Sequence, residues 1–353
     1  MKKYDVIIPL GQFCSTAIAL RDIGIRETAY PFDWLSIKDY KLTGNCGFMG
    51  KIHLLCNDFQ NAFDLEDLEE YCRDSSKEHR AVGNKRTGLA YVHDFEWSSS
   101  VADQYPAWRE KYERRVKRLY DNINAGESIL FILTTRLGHK LSLDEVTEGL
   151  NLLNKKFPGK DIDFLLVQDS EDCDLSEMLS FEINEHIFYW LYRDIPTAGE
   201  SNLPVLKKIL TWFLKGHCEY NLATDPIPNY GLSTKEDWGR WSDGGLVYLK
   251  IPVWEVQDLC VEFSVIPFIS KKHPTQDVEV ILNHKKIADW HFAYKKDQPK
   301  TILQIPADKI QRASSLVLAF KIKEPVSPQK LHLGEDTRKL GIGFKTIKIA
   351  AVK

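Results

Sequence analysis

"YDVIIPLGQFCSTAIALRDIG", residues 4–24, decides how the first half of the chain is read. Residues 4–11 form a continuous apolar run, the pattern of a short strand buried on both faces. Ser15 to Gly24 then has helical character, with Gly24 as its stop. Cys14 therefore stands just past the carboxyl end of a buried strand and at the start of the next helix. Such a position favours a thiolate, because the helix dipole and its unpaired N–H groups stabilise negative charge. The same N–H groups can hold a developing oxyanion, with the Gln12 amide as a further donor. The competing reading is a small buried core residue, which is the commoner fate of a cysteine.

The elements that follow fit a strand of this kind. Apolar residues at Trp108, Tyr112, Val116, Leu119, Tyr120 and Ile123 fall on one helical face between Ala107 and Asn124. "SILFILTTR" (128–136) reads as a strand. "SLDEVTEGLNLLNKKFPG" (142–159) reads as a helix with Ser142 and Glu145 as a capping box. "IDFLLVQDS" and "HIFYWLY" read as strands, and "SNLPVLKKILTWFLKG" as a helix ending at Gly216. This alternation predicts a three-layer α/β domain with a largely parallel sheet over residues 1–216. Residues 25–100 read as irregular, with one short strand at 89–97. The pattern breaks at 217–228, which is expected to be a linker. Residues 229–353 contain only short β-rich runs between turns, which predicts an antiparallel β-sandwich.

Composition narrows the function. The 353 residues carry 47 basic and 50 acidic side chains, a net charge of −3, so no global basic field points to nucleic acid or anionic lipid. The apolar runs are too short to span a bilayer, and the first residues read as a strand rather than a signal peptide. Seven irregularly spaced cysteines are expected to be reduced thiols of a cytoplasmic protein. Cys46, His53, Cys56, Cys72 and His79 lack a close Cys-x-x-Cys pair, so no metal site is expected. No phosphate-binding glycine loop is present.

A cysteine nucleophile needs a base, and the base an orienter. His93 in "YVHDF" is the candidate base. Asp33 in "YPFDWL" is the first candidate orienter, with Trp34 beside it as a substrate-lining residue. Asp94 is the second, although on an extended chain its side chain points away from that of His93. Asp169 ends a strand and is expected to line the site. Arg136, His139 and Lys140 follow another strand end and could bind a phosphate or a coenzyme A tail; a solvated surface is the plainer reading.

The stretch 10–34 with "VHDF" (92–95) resembles a bacterial family of unknown function described as papain-like cysteine peptidases. The matching residues are Gly11, Cys14, Ala17, Leu20, Arg21, Gly24, Arg26, Pro31, Phe32, Asp33, Trp34, His93, Asp94 and Phe95, with Ile25 in place of a usual Leu. The resemblance covers roughly residues 4–215 and implies Cys14 as nucleophile and His93 as base. It also extends to a capsule-biosynthesis group held to bind coenzyme A and to act as O-acyltransferases. Gln12 stands two residues before Cys14, closer than the oxyanion glutamine of papain-type enzymes, and the α/β alternation differs from theirs. Acyl transfer to a sugar hydroxyl is therefore at least as good a reading as peptide hydrolysis.

In the second half, "YGLSTKEDWGRWSDGGLVYLKIP" (230–252) sets Trp238 and Trp241 around Arg240. Exposed, these rings would make a sugar platform; buried, they would be core. With "SPQKLHLGEDTRKLGIGF" (327–344), this stretch resembles a β-sandwich accessory domain of bacterial glycosyltransferases and other polysaccharide-assembly proteins. The combined expectation is an enzyme of surface-polysaccharide (capsule) biosynthesis or modification. It would transfer an acyl group from acyl-coenzyme A, a co-substrate rather than a tightly bound cofactor, to a glycan or glycan-precursor hydroxyl. It would have no transmembrane segment and could associate peripherally with polysaccharide-assembly machinery. The alternatives are a papain-like cysteine hydrolase, acting as peptidase or esterase, and a non-catalytic glycan-binding scaffold.

Overall fold

The computed structural model of the chain describes residues 2–11, 14–36, 47–72, 79–135, 140–170, 173, 179–193, 202–253, 257–310 and 315–352. The chain divides into two compact units. One comprises Met1–Asp172 with Ser180–Leu210, and the other Cys173–Leu179 with Thr211–Lys353.

The elements up to residue 215 are, in order, β1 (Val6–Pro9), α1 (Ser15–Asp22), β2 (Leu35–Ser36), α2 (Phe48–Cys56), β3 (Leu68–Cys72), β4 (His79–Asn84), β5 (Ala90–Glu96), α3 (Val101–Ala125), β6 (Ser128–Thr134), α4 (Leu143–Lys156), β7 (Asp161–Asp169), β8 (Leu179–Asn184), β9 (Ile187–Tyr192) and α5 (Leu203–Lys215). The main sheet has the order β1-β6-β7-β9-β8. The pairs β1–β6, β6–β7 and β7–β9 are parallel. A two-residue turn joins β8 to β9, so β8 runs against the rest and the sheet is mixed. The apolar runs that announced β6 and β7 are buried along nearly their whole length, as strands covered on both faces must be.

The described residues between 25 and 100 hold more regular structure than their sequence suggests. They hold a second, antiparallel sheet, β2-β5-β4-β3. Its strands are short, and the β4–β5 and β3–β4 pairings are broken by register shifts. Those shifts erase the period-2 alternation that would have revealed it. Tyr91 and Phe95 of β5 pack on Trp108 and Tyr112 of α3, which ties this sheet into the core.

The helices follow their local signals. Gly24 takes φ +70°, and the Ile25 N–H reaches back to the Leu20 carbonyl, which stops α1. The capping box of α4 is present: Ser142 Oγ accepts from the Glu145 N–H, and Glu145 accepts from the Ser142 N–H. α3 begins six residues before the expected Ala107. Ser100 and Asp103 cap it, and it carries Pro106 in its interior.

The second unit contains β10 (His217–Asn221), β11 (Asn229–Tyr230), β12 (Arg240–Trp241), β13 (Leu246–Pro252), β14 (Leu259–Pro267), β15 (Thr275–Leu282), β16 (Lys285–Ala293), β17 (Ile302–Ile305), β18 (Ser315–Ile322) and β19 (Ile342–Ala351). Residues 217–221, expected as linker, form β10 and pair antiparallel with β19. Their alternation of buried and exposed residues is that of a strand, which the following Pro-rich stretch obscured. Two sheets form, β10-β19-β14-β17 with β12 on β19, and β11-β13-β18-β15-β16. Phe263, Phe344, Phe320 and Trp290 interlock between them, with ring centroids 5.0–6.3 Å apart. Among the described residues, no helix is long and apolar enough to cross a membrane.

Gly149 of α4 faces Phe48 of α2. A Cβ there would lie 2.5 Å from the Phe48 ring, which is itself buried. Helix propensity alone would make Gly149→Ala stabilising by about 1 kcal/mol. The clash reverses the sign, and urea unfolding is expected to show a loss of about 1–3 kcal/mol.

Candidate functional site

β1 enters the protein and ends inside it. Beyond Pro9, the Leu10 N–H still donates to the Ile132 carbonyl of β6 at 2.7 Å. Cys14 is the N-cap of α1, at φ −63° and ψ −15°, and its side chain makes no capping bond. It is a reduced, half-buried thiol. Its carbonyl accepts from the Ile18 N–H at 2.9 Å, the first turn of the helix.

The carboxyl ends of the parallel strands bring a set of buried polar groups to the same edge. Thr16 Oγ1 donates to Thr134 Oγ1 at 2.8 Å. The Asn202 amide donates to Ser15 Oγ at 3.4 Å and to the Tyr192 hydroxyl at 3.2 Å. Tyr192 in turn donates to the Thr135 carbonyl at 2.9 Å. The Asp169 N–H donates to Thr135 Oγ1 at 3.3 Å, and the Ser170 N–H to the Tyr192 carbonyl at 2.8 Å. Asn202 is only 1% exposed, and among the described residues no donor reaches its Oδ1; buried acceptors without a donor are rare. Asp169, expected to line the site, is buried at the end of β7 within this set. Thr16, Thr134, Thr135, Tyr192 and Asn202 were not singled out from sequence. Only the strand-end positions of the threonines and of Tyr192 carried a signal.

The expected orienters are engaged elsewhere. Asp33 Oδ2 accepts from Arg26 Nε at 3.1 Å, Arg26 Nη2 at 2.6 Å and the Tyr30 N–H at 3.1 Å. The Arg26 guanidinium also lies 5.4 Å from the Trp34 ring. Asp33 thus closes its own turn, and Trp34 is half-buried beneath Arg26. Burial pushes the Asp33 carboxyl up, and the adjacent Arg26 only partly offsets it. Asp94 points into the protein, where it accepts from Lys111 and from the Tyr112 hydroxyl at 2.8 Å. His93 is exposed on β5. It lies where the β4 partners Arg80 and Val82 oppose Phe95 and Tyr91, so the register shifts around it. That irregularity turns His93 outward while Asp94 is drawn onto α3. Its ring stands edge-on to that of His79, 6.2 Å away. Neither carboxylate is bonded to His93.

Gln12, Arg136 and His139 lie outside the described residues, and Lys140 is exposed. Among the cysteine and histidine positions weighed for zinc, Cys56 donates to the Leu152 carbonyl at 3.8 Å, and burial raises its thiol. The set of described residues with metal-ligand spacing is Asp161, Asp163 and His186, at the opposite, amino edge of the sheet. There the Lys2 ammonium lies 2.7 Å from Asp161 and 2.8 Å from Asp163, the place a cation would take.

In the second unit, Trp238 and Trp241 are half-buried and pack edge to face, with centroids 5.2 Å apart. Trp238 Nε1 donates to Glu236, which also pairs with Arg338 at 3.0 Å. Arg240 donates to the Ser233 and Leu232 carbonyls at 2.7 and 3.4 Å, and burial lowers its pKa. A Cβ on Gly343 would meet the Trp238 ring at 2.4 Å. These residues tie the 230–244 segment to the 336–344 segment.

Known proteins place the two halves in different company. Residues 5–171 match a family described as "Putative papain-like cysteine peptidase (DUF1796)", and residues 228–351 match a "Domain of unknown function (DUF7024)". An uncharacterized protein of Acanthamoeba polyphaga mimivirus, R408, is 26% identical over 170 residues, covering 43% of this chain and 72% of that protein. Among solved structures, the C-terminal CBM6 of LamC, a marine laminarinase from Zobellia galactanivorans, aligns at 6% identity and a TM-score of 0.24, covering 38% of this chain and 98% of that one. The CBM36-1 domain of a multidomain xylanase from the hindgut metagenome of Trinervitermes trinervoides aligns at 5% identity and a TM-score of 0.25, over 39% and 98%.

The Arg26–Asp33 pair yields a pH test. A carboxyl whose folded pKa is raised binds more protons in the native state, so its contribution to stability is present at low pH and lost as pH rises. Arg26→Met leaves that carboxylate buried without its cation, at an expected cost of about 3–5 kcal/mol near pH 7. Urea unfolding at pH 7 and pH 5 is expected to show a smaller loss at pH 5. An equal or larger loss there would mean that Asp33 is not the group responsible.

Proposed function

We propose that the first unit is a cysteine-dependent acyl-group enzyme with Cys14 as its nucleophile. The observation that carries the reading is the placement of Cys14. It stands at the N-cap position of a helix at the carboxyl edge of the parallel strands, the edge where open α/β sheets bind ligands, beside a buried polar set in which no described residue donates to Asn202 Oδ1. The match of residues 5–171 to a cysteine-peptidase-like family supports the same residue type and chemistry.

The chemistry has two halves. Cys14 Sγ, as thiolate after a base has taken its proton, attacks the carbonyl carbon of an acyl donor; a C–S bond forms, the bond to the leaving group breaks, and the protonated base returns that proton to the leaving group. The first N–H groups of α1 face the developing oxyanion. An acceptor oxygen then attacks the thioester, gives up its proton to a base, and the C–S bond breaks to restore the thiolate. His93 is the base expected from the resemblance. It is exposed on β5.

The acceptor separates two versions. In the first, the donor is acyl-coenzyme A, and the acceptor is a hydroxyl of a surface glycan or its precursor, in the cytoplasm. The resemblance of 230–252 and 327–344 to accessory domains of polysaccharide-assembly proteins supports it. In the second, water is the acceptor and the protein is a hydrolase, which the family description of residues 5–171 favours. Both share the first half.

Intact-mass spectrometry after incubation with a panel of acyl-coenzyme A donors and activated esters tests the shared half. The full chain is expected to gain one acyl mass. Cys14→Ala is expected to lose the adduct and to lower turnover by about 10³-fold or more. Undiminished acylation of Cys14→Ala would overturn the assignment. A chase with glycan or with water then distinguishes the two versions.

A further inference from the structure

Lys51 lies on α2 in the sequence "FMGKIHLLC", and it is only 2% exposed. Burying an ammonium is expensive, and a methionine would fill the same space at no such cost. Its Nζ donates to two backbone carbonyls, those of Leu10 and Gly11, each at 2.8 Å. Hydrogen bonds from an ammonium are charge-assisted and strong. In an extended strand, successive carbonyls point to opposite sides. Two consecutive carbonyls meeting one nitrogen mark the point where the chain leaves β1 and turns toward Cys14. Three residue steps separate Gly11 from Cys14, at most about 11 Å of chain. The Phe32 ring, 6.0 Å from Nζ, closes one side of the ammonium.

We propose that Lys51 is a positioning residue for the Cys14 nucleophile, which its buried ammonium serves by fixing the Leu10 and Gly11 carbonyls and placing positive charge at the end of β1, three residues before Cys14. The inference rests on the reading of Cys14 given above. Of the other charged groups on neighbouring elements, Asp169 at the end of β7 is buried in the Thr135 and Tyr192 set. Arg26 and Asp33 are closed on each other, and Lys140 is exposed. The charge of Lys51 and the dipole of α1 both favour the thiolate.

The test is the rate of Cys14 alkylation by iodoacetamide between pH 5 and pH 9. It would be read by peptide mass spectrometry in the full chain and in Lys51→Met, Lys51→Gln and Lys51→Arg, with Cys260 as an internal control. Lys51→Met and Lys51→Gln are expected to move the Cys14 midpoint up by about one pH unit, so that labelling at pH 6 falls about tenfold. Lys51→Arg is expected to keep the wild-type midpoint. A purely structural role would change stability and leave the midpoint in place. A folded Lys51→Met with the wild-type midpoint overturns the proposal. If Lys51→Met does not fold, a Lys51→Gln midpoint equal to that of Lys51→Arg overturns it as well. Failure of the underlying reading looks different: Cys14 of the wild-type chain would then titrate with Cys260.

Discussion

A parallel strand that ends inside a protein leaves its last carbonyls close to the first N–H groups of the next helix, and both must be satisfied. At the end of β1 this constraint organises the surroundings. The Leu10 and Gly11 carbonyls are held by Lys51 from α2. Ser15 and Thr16 are buried and bonded to Asn202 and Thr134. Cys14 stands between these two groups, at the N-cap, with no side-chain capping bond. Serine or aspartate at that position would commonly cap the helix through its oxygen.

Much of the fold was legible because its signals are local. The apolar runs of β6 and β7, the Ser142–Glu145 box and the Gly24 stop each act within a few residues. The second sheet of the first unit was not legible. β2 has two residues, and β3, β4 and β5 shift register, so no window shows a clean alternation. β10 was hidden for a related reason: its partner, β19, lies more than a hundred residues away.

The candidate site divides along the same line. Cys14 and Asp169 could be named because a strand end is visible in sequence. Lys51 could not, because a lysine in a helix normally reads as a solvated face, and its burial depends on where α2 packs. Asp94 was weighed because it adjoins His93 and Asp33 as the other acidic candidate, yet their partners are α3 and a neighbouring turn. Arg240, set between two tryptophans in sequence, turns its guanidinium to the Ser233 carbonyl.

The central claim is that the end of β1 and the start of α1 make Cys14 a nucleophile rather than a packing residue. Competitive labelling of the wild-type chain with a limiting electrophile at pH 6, followed by peptide mapping of all seven cysteines, tests it most directly. The account predicts that the label concentrates on Cys14, ahead of the similarly half-buried Cys260 and Cys56. A label shared among these cysteines in proportion to their exposure would contradict it.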